Sequence, residues 1–504
     1  MAKRSNLTEI LLGERREDGE PAYRWLYGAL RKEILAGRLR PGTRLPATRD
    51  LAAEYGLSRG TIVTAFEELK AEGYVEGSIG SGTYVSKVLP EDLLEVRRER
   101  AQGSAPTYAK RALSEYGKAA RAFPNFPNRA VRAFRPNLPA LEEFPITLWT
   151  QITNRKLRRA SMTMLTGCEA MGYGPLREAI AAYASRSRGV VCTAAQVIVT
   201  SGVQESLDLV VRLFVNRGDR VCMEDPGYVG AARVFEATGV KIISLPIDKQ
   251  GAKLPSTQQT ARLVYITPAH QAPLGVAMSL TRRLEMLEWA RKTNALIFED
   301  DYDGEYRYQG RPLPALQGLD RNGVVLFAGS FSKVLFPALR LGYLIVPEDL
   351  AERFASAKSI LNRHAPLLEQ TVLCEFIQAG HFGRHLRRMR EIYSERLGTL
   401  LDMGSKYLDG MMEVSKIEAG LQTVGWLTRG LDDREVAKAA SARGVDSIAL
   451  TSFYRNPQEL ARRERHGLQL GFAAVGPREI RRGVEELARA IEGYKGASLP
   501  ERTL

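Results

Sequence analysis

Between Gly329 and Gly342 the chain reads Gly-Ser-Phe-Ser-Lys-Val-Leu-Phe-Pro-Ala-Leu-Arg-Leu-Gly, gathering two hydroxyls, one amine and one guanidinium within fourteen residues. That set suits an aldehyde that carries a phosphate. Lys333 is the candidate nucleophile. An amine condenses with a carbonyl only when deprotonated, so it needs a desolvated or electropositive setting, and Arg340 helps to supply one. Ser330, Ser332 and Arg340 would hold the phosphate. Taken alone, Lys333 reads as an ordinary surface lysine, since lysines are seldom buried; its neighbours argue otherwise. The apolar run Val324–Ala328 ahead of it is typical of a buried strand, which places Ser330 to Lys333 in the loop where that strand delivers its residues to a cleft.

Other strands must converge on the same cleft. Val197–Thr200, Arg220–Met223, Lys241–Leu245, Leu263–Thr267 and Ala295–Glu299 join Val324–Ala328 as apolar segments alternating with helical stretches. Such alternation predicts a mainly parallel sheet with helices on both faces, and ligands sit beyond the carboxyl ends of its strands. Ser201, Gly202 and Val203 follow the first segment and open a helix, whose N-terminal amides make a phosphate cradle. A lone Ser-Gly before a helix is otherwise only a cap. Tyr228 ends the run Glu224-Asp225-Pro226-Gly227-Tyr228 after the second. Glu299-Asp300-Asp301-Tyr302 closes another, and burying its carboxylates is costly without a cationic partner. A metal-ligating cluster there lacks a nearby His, whereas a solvated acidic loop stays open. After about residue 350 the pattern changes to long basic helices and a few short strands, consistent with a smaller terminal subdomain.

These pieces, in this order, resemble fold-type I aminotransferases of class I, in the form found in MocR-type regulators of the GntR superfamily, over nearly the whole chain. The resemblance implies pyridoxal 5'-phosphate (PLP) on Lys333. It gives Tyr228 the role of stacking on the pyridine ring, Asp300 that of keeping the ring nitrogen protonated, and Tyr302 that of donating to the ring hydroxyl. Ser201, Gly202, Val203, Ser330, Ser332 and Arg340 would surround the phosphate. His270, in the loop Thr267–Gly275, is a further expected cofactor contact. Three positions depart from the family. Ala272 stands where an aromatic is usual in the regulators and an asparagine in true aminotransferases. Gly167 lies where many relatives carry a tyrosine that reaches the neighbouring subunit's phosphate. Gln469 replaces an arginine that grips the substrate carboxylate through a bidentate pair glutamine cannot reproduce; Arg455, Arg462 or Arg465 could compensate. The implied domain holds PLP yet turns over common amino acids poorly or not at all, and no catalytic residue is assigned.

Upstream, Leu26, Ala29, Leu30 and Ile34 recur at helical spacing within Ala22–Ala36, and Leu51, Ala52 and Tyr55 form one face of a second helix ended by Gly56. Ser58 is a natural N-cap for a third, with Ile62, Ala65, Phe66 and Leu69 inward. Tyr74–Val85 alternates like a hairpin around Gly80-Ser81-Gly82. Helix-turn-helix plus hairpin closely resembles the GntR-type winged helix. Arg59 and Thr61, with Ser58, start the helix that enters a major groove; Arg44, Thr48 and Arg49 clamp the backbone; Gly80, Gly82 and Thr83 bring the wing near the minor groove. The expected organisation is α/β and multidomain: a winged helix-turn-helix over 1–86, a linker over 87–133, and a fold-type I PLP-dependent aminotransferase-like domain over 134–504.

The net charge of +14 does not by itself argue for DNA, because residues 1–86 hold 13 Lys and Arg against 12 Asp and Glu, while 87–135 hold 11 against 5. The DNA argument rests on pattern and placement. Four cysteines without C-x-x-C spacing argue against a zinc site and for reduced thiols. No apolar run of about 18 residues occurs, so no membrane span is expected and the protein belongs in the cytoplasm. The combined expectation is a homodimeric transcriptional regulator that binds double-stranded operator DNA and senses PLP, a small amine or an amino-acid effector. Its rivals are a working aminotransferase with an appended DNA-binding domain, and a regulator that senses PLP itself and controls vitamin B6 synthesis.

Overall fold

Contacts divide the chain into two units, Met1–Lys110 and Arg111–Leu504. The computed structural model describes residues 16, 19–78, 82–90, 111–123, 130–255, 260–308, 314–428, 430–462 and 465–498. In the first unit the helices α1 (Ala22–Leu35), α2 (Thr48–Tyr55) and α3 (Arg59–Ala71) precede a hairpin of β1 (Val75–Ser78) and β2 (Gly82–Val85). The apolar stripes decide how they pack: Leu26, Leu30 and Ile34 meet Leu51, Ile62, Phe66 and Leu69, and Tyr74, Val75 and Val85 close the base. Gly56 ends α2 at φ 64°, a left-handed position that costs glycine little. The Ser58 hydroxyl caps α3 by accepting from the Thr61 amide at 3.1 Å. Arg44 forms an isolated bridge to Tyr84, so the turn before α2 is tied to the wing. The expected helix over Leu93–Arg100 and the residues Gly80 and Ser81 lie outside the described residues.

The second unit is built on eight strands: β3 (Val197–Thr200), β4 (Arg220–Asp225), β5 (Lys241–Asp248), β6 (Gly251–Ala252), β7 (Leu263–Ile266), β8 (Leu296–Asp301), β9 (Val325–Ser330) and β10 (Gly342–Ile345). Their order is β3-β10-β9-β8-β7-β4-β5-β6. The central pairs are parallel, but β10 runs antiparallel between β3 and β9. The fully buried β3, β7 and β10 are continuous apolar runs, as strands covered on both faces should be. Ser330 is the last residue of β9 rather than part of the following loop, because pairing with Gly342 extends the strand by two residues past Ala328. A second, antiparallel sheet carries β11 (Met412–Val414), β12 (Gln422–Leu427), β13 (Ile448–Ala449) and β14 (Gly467–Gly471) in the order β11-β12-β14-β13. The long helix His381–Tyr407 packs against Pro477–Ser498 beside it. All four cysteines are free, and no described helix is long and apolar enough to cross a membrane.

Candidate functional site

The parallel strands end where the chemistry is. β8 finishes with Glu299, Asp300 and Asp301, all buried, and each carboxylate meets a different fate. Glu299 accepts from the Leu316 and Gln317 amides at 2.8 and 2.9 Å. Asp301 pairs with buried Arg188, Oδ1 accepting from Nη2 at 3.0 Å. Asp300 accepts from the Tyr265 hydroxyl through Oδ2 at 2.6 Å, while its buried Oδ1 has no partner. Burial pushes the Asp300 carboxyl up to about 7, against the pull of the Tyr265 hydrogen bond and of Lys333. A cationic nitrogen at Oδ1 would relieve that cost.

Lys333 lies in the turn after β9, half-buried, and donates to the Asn137 carbonyl at 3.0 Å. Burial lowers its amine to about 8, opposed by Asp303 and Asp300 and aided by Arg340. A lowered amine carries more of the neutral, nucleophilic form near neutral pH than an ordinary lysine does. The hydroxyl of half-buried Tyr302 lies 3.1 Å from His270 Nδ1, which is held 3.0 Å from Asp303. His270 is thereby fixed from one side while its Nε2 stays buried and unpartnered. Tyr228 receives a hydrogen bond from Gln204 at 3.1 Å, and its ring lies stacked on Tyr265 with centroids 6.4 Å apart.

A turn with free backbone amides lies alongside. Gly202 adopts φ 118° and N-caps the helix Val203–Phe214, a conformation that favours glycine. The amides of Val203 and Gln204 meet no acceptor among the described residues, whereas that of Ser201 is taken by Glu205 at 2.6 Å. Glu205 is itself fixed by the fully buried Lys358. A Cβ added at Gly202 would sit 3.8 Å from Arg340 Nη2, so the guanidinium stands over this turn without an ion-pair partner among the described residues. Arg340 reaches there from a left-handed backbone, φ 48°. The Ser332 hydroxyl is buried and unpartnered, and Ser330 ends the adjacent strand. Lys333, Asp300, Tyr302, Tyr228, His270, Ser201, Gly202, Val203, Ser330, Ser332 and Arg340 thus belong to one constellation at the ends of β3, β4, β8 and β9 and on the β7–β8 connection.

Sequence reasoning missed several members. Tyr265 holds Asp300 and was legible only as a hydroxyl inside an apolar strand, a group that needs a partner when buried. Asn137 and Glu205 give no local signal. Gln422 accepts from the Asn137 amide at 2.9 Å. Phe123 lies 6.3 Å from the Tyr228 ring, and the short helix Glu115–Ala119 packs on Val229–Thr238. The departures also have structural settings. A Cβ on Gly167 would come within 2.7 Å of His364 Nε2, so the imidazole fills the space where a side chain at 167 would start. Gln469 is 1 % exposed with Oε1 unpartnered. Arg465 is engaged by Glu413 at 2.7 Å; Arg455 Nε lies 3.9 Å from Glu236; the Arg462 side chain lies outside the described residues.

On the first unit, Arg44, Arg49 and Arg59 are exposed and Thr48, Thr61 and Thr83 half-buried. Arg59 is the first residue of α3, and Ser58 is occupied as its cap. A Cβ on Gly82 would meet Arg44 Nε at 2.9 Å, which places Arg44 against the wing. Gly80 lies outside the described residues.

Residues 142–408 match the family model of class I and II aminotransferases, and residues 22–85 match that of the bacterial regulatory proteins of the gntR family. The chain is 38% identical over 481 residues to a probable rhizopine catabolism regulatory protein, MocR, of Rhizobium meliloti, covering 94% of this chain and 95% of that one. It is 28% identical over 465 residues to the pyridoxine biosynthesis transcriptional regulator PdxR of Corynebacterium glutamicum, covering 92% and 94%. The structure of Pyrococcus horikoshii kynurenine aminotransferase in complex with PMP superposes with a TM-score of 0.66 at 27% identity, over 73% of this chain and 92% of that one.

Proposed function

Because the chain belongs to the MocR-type regulators of the GntR superfamily, DNA-binding transcriptional regulators with an aminotransferase-like domain, we propose that its large unit holds PLP and uses it to sense a small amine or amino-acid effector. The observation that carries this reading is Asp300 Oδ1, a buried carboxylate oxygen without a partner, in the same site as a lysine whose amine is lowered to about 8. When bound, PLP supplies an aldehyde open to amines and a ring that draws off electrons. Lys333 acts as its nucleophile. Asp300 would hold the ring nitrogen as a cation, Tyr228 would cover the ring, and Tyr302, backed by His270, would donate to the ring hydroxyl. The free amides of Val203 and Gln204, the hydroxyls of Ser201, Ser330 and Ser332, and Arg340 hold the phosphate.

With PLP bound, an effector amine would compete with Lys333 for the aldehyde, and the lysine amine would then be free. Such a ligand changes DNA affinity only through a difference in its affinity for two arrangements of the protein. The winged helix reads operator DNA, with Arg59 and Thr61 in the major groove and Arg44, Thr48 and Arg49 on phosphates. We assign a homodimer on the large unit, because Leu157, Met162, Leu165 and Ile360 are 52%, 75%, 72% and 87% exposed around the Gly167–His364 contact. Isolated exposed side chains need no explanation, but several around one point mark an interface. Borohydride reduction of the PLP-loaded protein followed by peptide mapping tests the reading. The expected result is one phosphopyridoxyl group on Lys333, lost in Lys333→Ala; the group on another lysine, or on none, overturns it.

A further inference from the structure

We infer that Lys358 is a positioning residue for the phosphate end of the site: it holds the Glu205 carboxylate off the turn at Gly202, so that the amides of Val203 and Gln204 stay open to an incoming phosphate. The inference rests on the PLP reading above and gives a part in it to a residue behind the turn. Lys358 lies on the helix Ala351–Leu361, which packs on the helix Val203–Phe214. Its side chain is wholly buried, and its Nζ donates to Glu205 Oε1 and, at 2.8 Å, to Asn362 Oδ1. Asn362 Nδ2 donates to the same Oε1 at 3.1 Å. The Asn362 amide closes on the Lys358 carbonyl at 3.1 Å, which fixes the two side chains relative to each other. Glu205 Oε2 accepts from the Ser201 amide at 2.6 Å. Both oxygens of Glu205 are thereby occupied.

Glu205 sits in the first turn of its helix. A carboxylate there is a natural occupant of free N-terminal amides, and it repels any other anion brought to them. The contacts of Lys358 remove both obstacles. Oε1 is drawn back to the ammonium and to Asn362, which leaves Oε2 to reach one amide, that of Ser201. The ammonium also offsets the carboxylate's charge where little water can screen it. Burial by itself pushes the Glu205 carboxyl up, but the Lys358 ammonium and the Ser201 amide outweigh it and hold the group below the usual carboxylate range. Arg340 stands over the same turn and makes no ion pair with a described residue; Glu205 is engaged by Lys358 instead. Stability alone gives little reason for such a pair, because well-packed apolar side chains of similar volume serve as well or better.

The test uses the full chain, freed of cofactor and titrated by absorbance with PLP and with pyridoxal, which has the same ring and aldehyde but no phosphate. The readout is the ratio of the two affinities. Lys358→Met leaves a buried carboxylate uncompensated behind the turn and should lower that ratio roughly ten-fold or more, with pyridoxal affinity within about two-fold of the parent. Adding Glu205→Gln, which removes the charge and keeps an acceptor for the Ser201 amide, should return the ratio to within about three-fold of the parent. Glu205→Gln alone, whose outcome does not depend on the folding of Lys358→Met, should raise the ratio about three-fold, because the ammonium is then left to attract the anion. Equal losses for PLP and pyridoxal in Lys358→Met mark a pair that only supports the fold. That result, an unchanged ratio, or a fallen ratio in Glu205→Gln overturns the inference while leaving the PLP reading intact. A parent chain that does not favour PLP over pyridoxal, or that attaches PLP elsewhere than at Lys333, instead removes the reading on which the inference stands.

Discussion

On the large sheet, β8 and the turn after β9 bring a carboxylate, an amine and a guanidinium to the site; on the small sheet, β12 and β14 bring two amides. The charged side follows one rule. Of the three carboxylates that end β8, Glu299 and Asp301 are satisfied by protein groups, and Asp300 alone keeps a free buried oxygen. Leaving a buried acceptor unmade costs about 1–3 kcal/mol, so a partner at Asp300 Oδ1 would be stabilising. The amide side has one buried free oxygen as well, on Gln469, and the buried Nε and Nη1 of Arg455 beside it are also without a hydrogen-bond partner among the described residues. The contrast lies in kind: the large sheet brings ionisable side chains to the site, and the strands of the small sheet bring amides.

The largest perturbation of that contrast removes the charge at Asp300. Asp300→Asn leaves the Tyr265 contact possible but turns the ring-nitrogen pair into a neutral one. PLP affinity, followed by absorbance titration of the purified protein, should fall by roughly 100-fold, the scale of about 3 kcal/mol for breaking a buried pair. A change under about three-fold would mean that the charged side does not hold the ring.

A ten-fold effect is expected from pH alone. Lys333, lowered to about 8 by burial, gains neutral amine most steeply around that pH. Its rate of attachment to PLP should rise about ten-fold from pH 7 to pH 9 and then level off, whereas an ordinary lysine would keep accelerating toward pH 10.5. The same shift has a stability signature. Between about 8 and 10.5 the unfolded chain holds a proton that the folded chain has released, so the stability of the cofactor-free protein should rise with pH across that window. Thermal unfolding from pH 8 to 10.5, compared with Lys333→Met, isolates this contribution.

The smallest effect comes from the support beneath the charge. Tyr265→Phe removes one hydrogen bond to Asp300 Oδ2 and leaves Oδ1 for the ring. PLP affinity should drop about three-fold, within the span of about 0.5–1.5 kcal/mol for a single hydrogen bond. A drop as large as that of Asp300→Asn would show that Tyr265 contributes as much as the carboxylate it supports.

Much of the charged side was legible from order and type: the strand ends at Thr200, Asp225, Asp301 and Ser330 carry the residues that the motifs singled out. Periodicity also found the three helices of the small unit, because their inward stripes repeat every three or four residues. What escaped was set by pairing rather than pattern. β10, four residues long, follows the lysine turn without a break in composition, and only its antiparallel insertion between β3 and β9 explains why Ser330 is strand. Tyr265, Asn137 and Glu205 act through partners 35, 196 and 153 residues away, Asp300, Lys333 and Lys358 respectively. No local spacing encodes such distances. Conversely, Gln469 stood out in the sequence as a substitution, yet its direction became clear only from the registry of β12, β13 and β14.

The bond from Lys333 to the Asn137 carbonyl has a consequence for how the chain is held together. Asn137 sits just after Phe134, which bridges to Gly471, on the segment by which the polypeptide enters the large unit. An idle amine therefore doubles as a fastener for that entry segment, and the fastener is undone whenever the amine is engaged elsewhere. By thermodynamic reciprocity, a stiffer entry segment makes the lysine harder to recruit, and a recruited lysine leaves the entry segment looser. Chemistry at one nitrogen is thus registered as slack in the stretch of chain around Asn137.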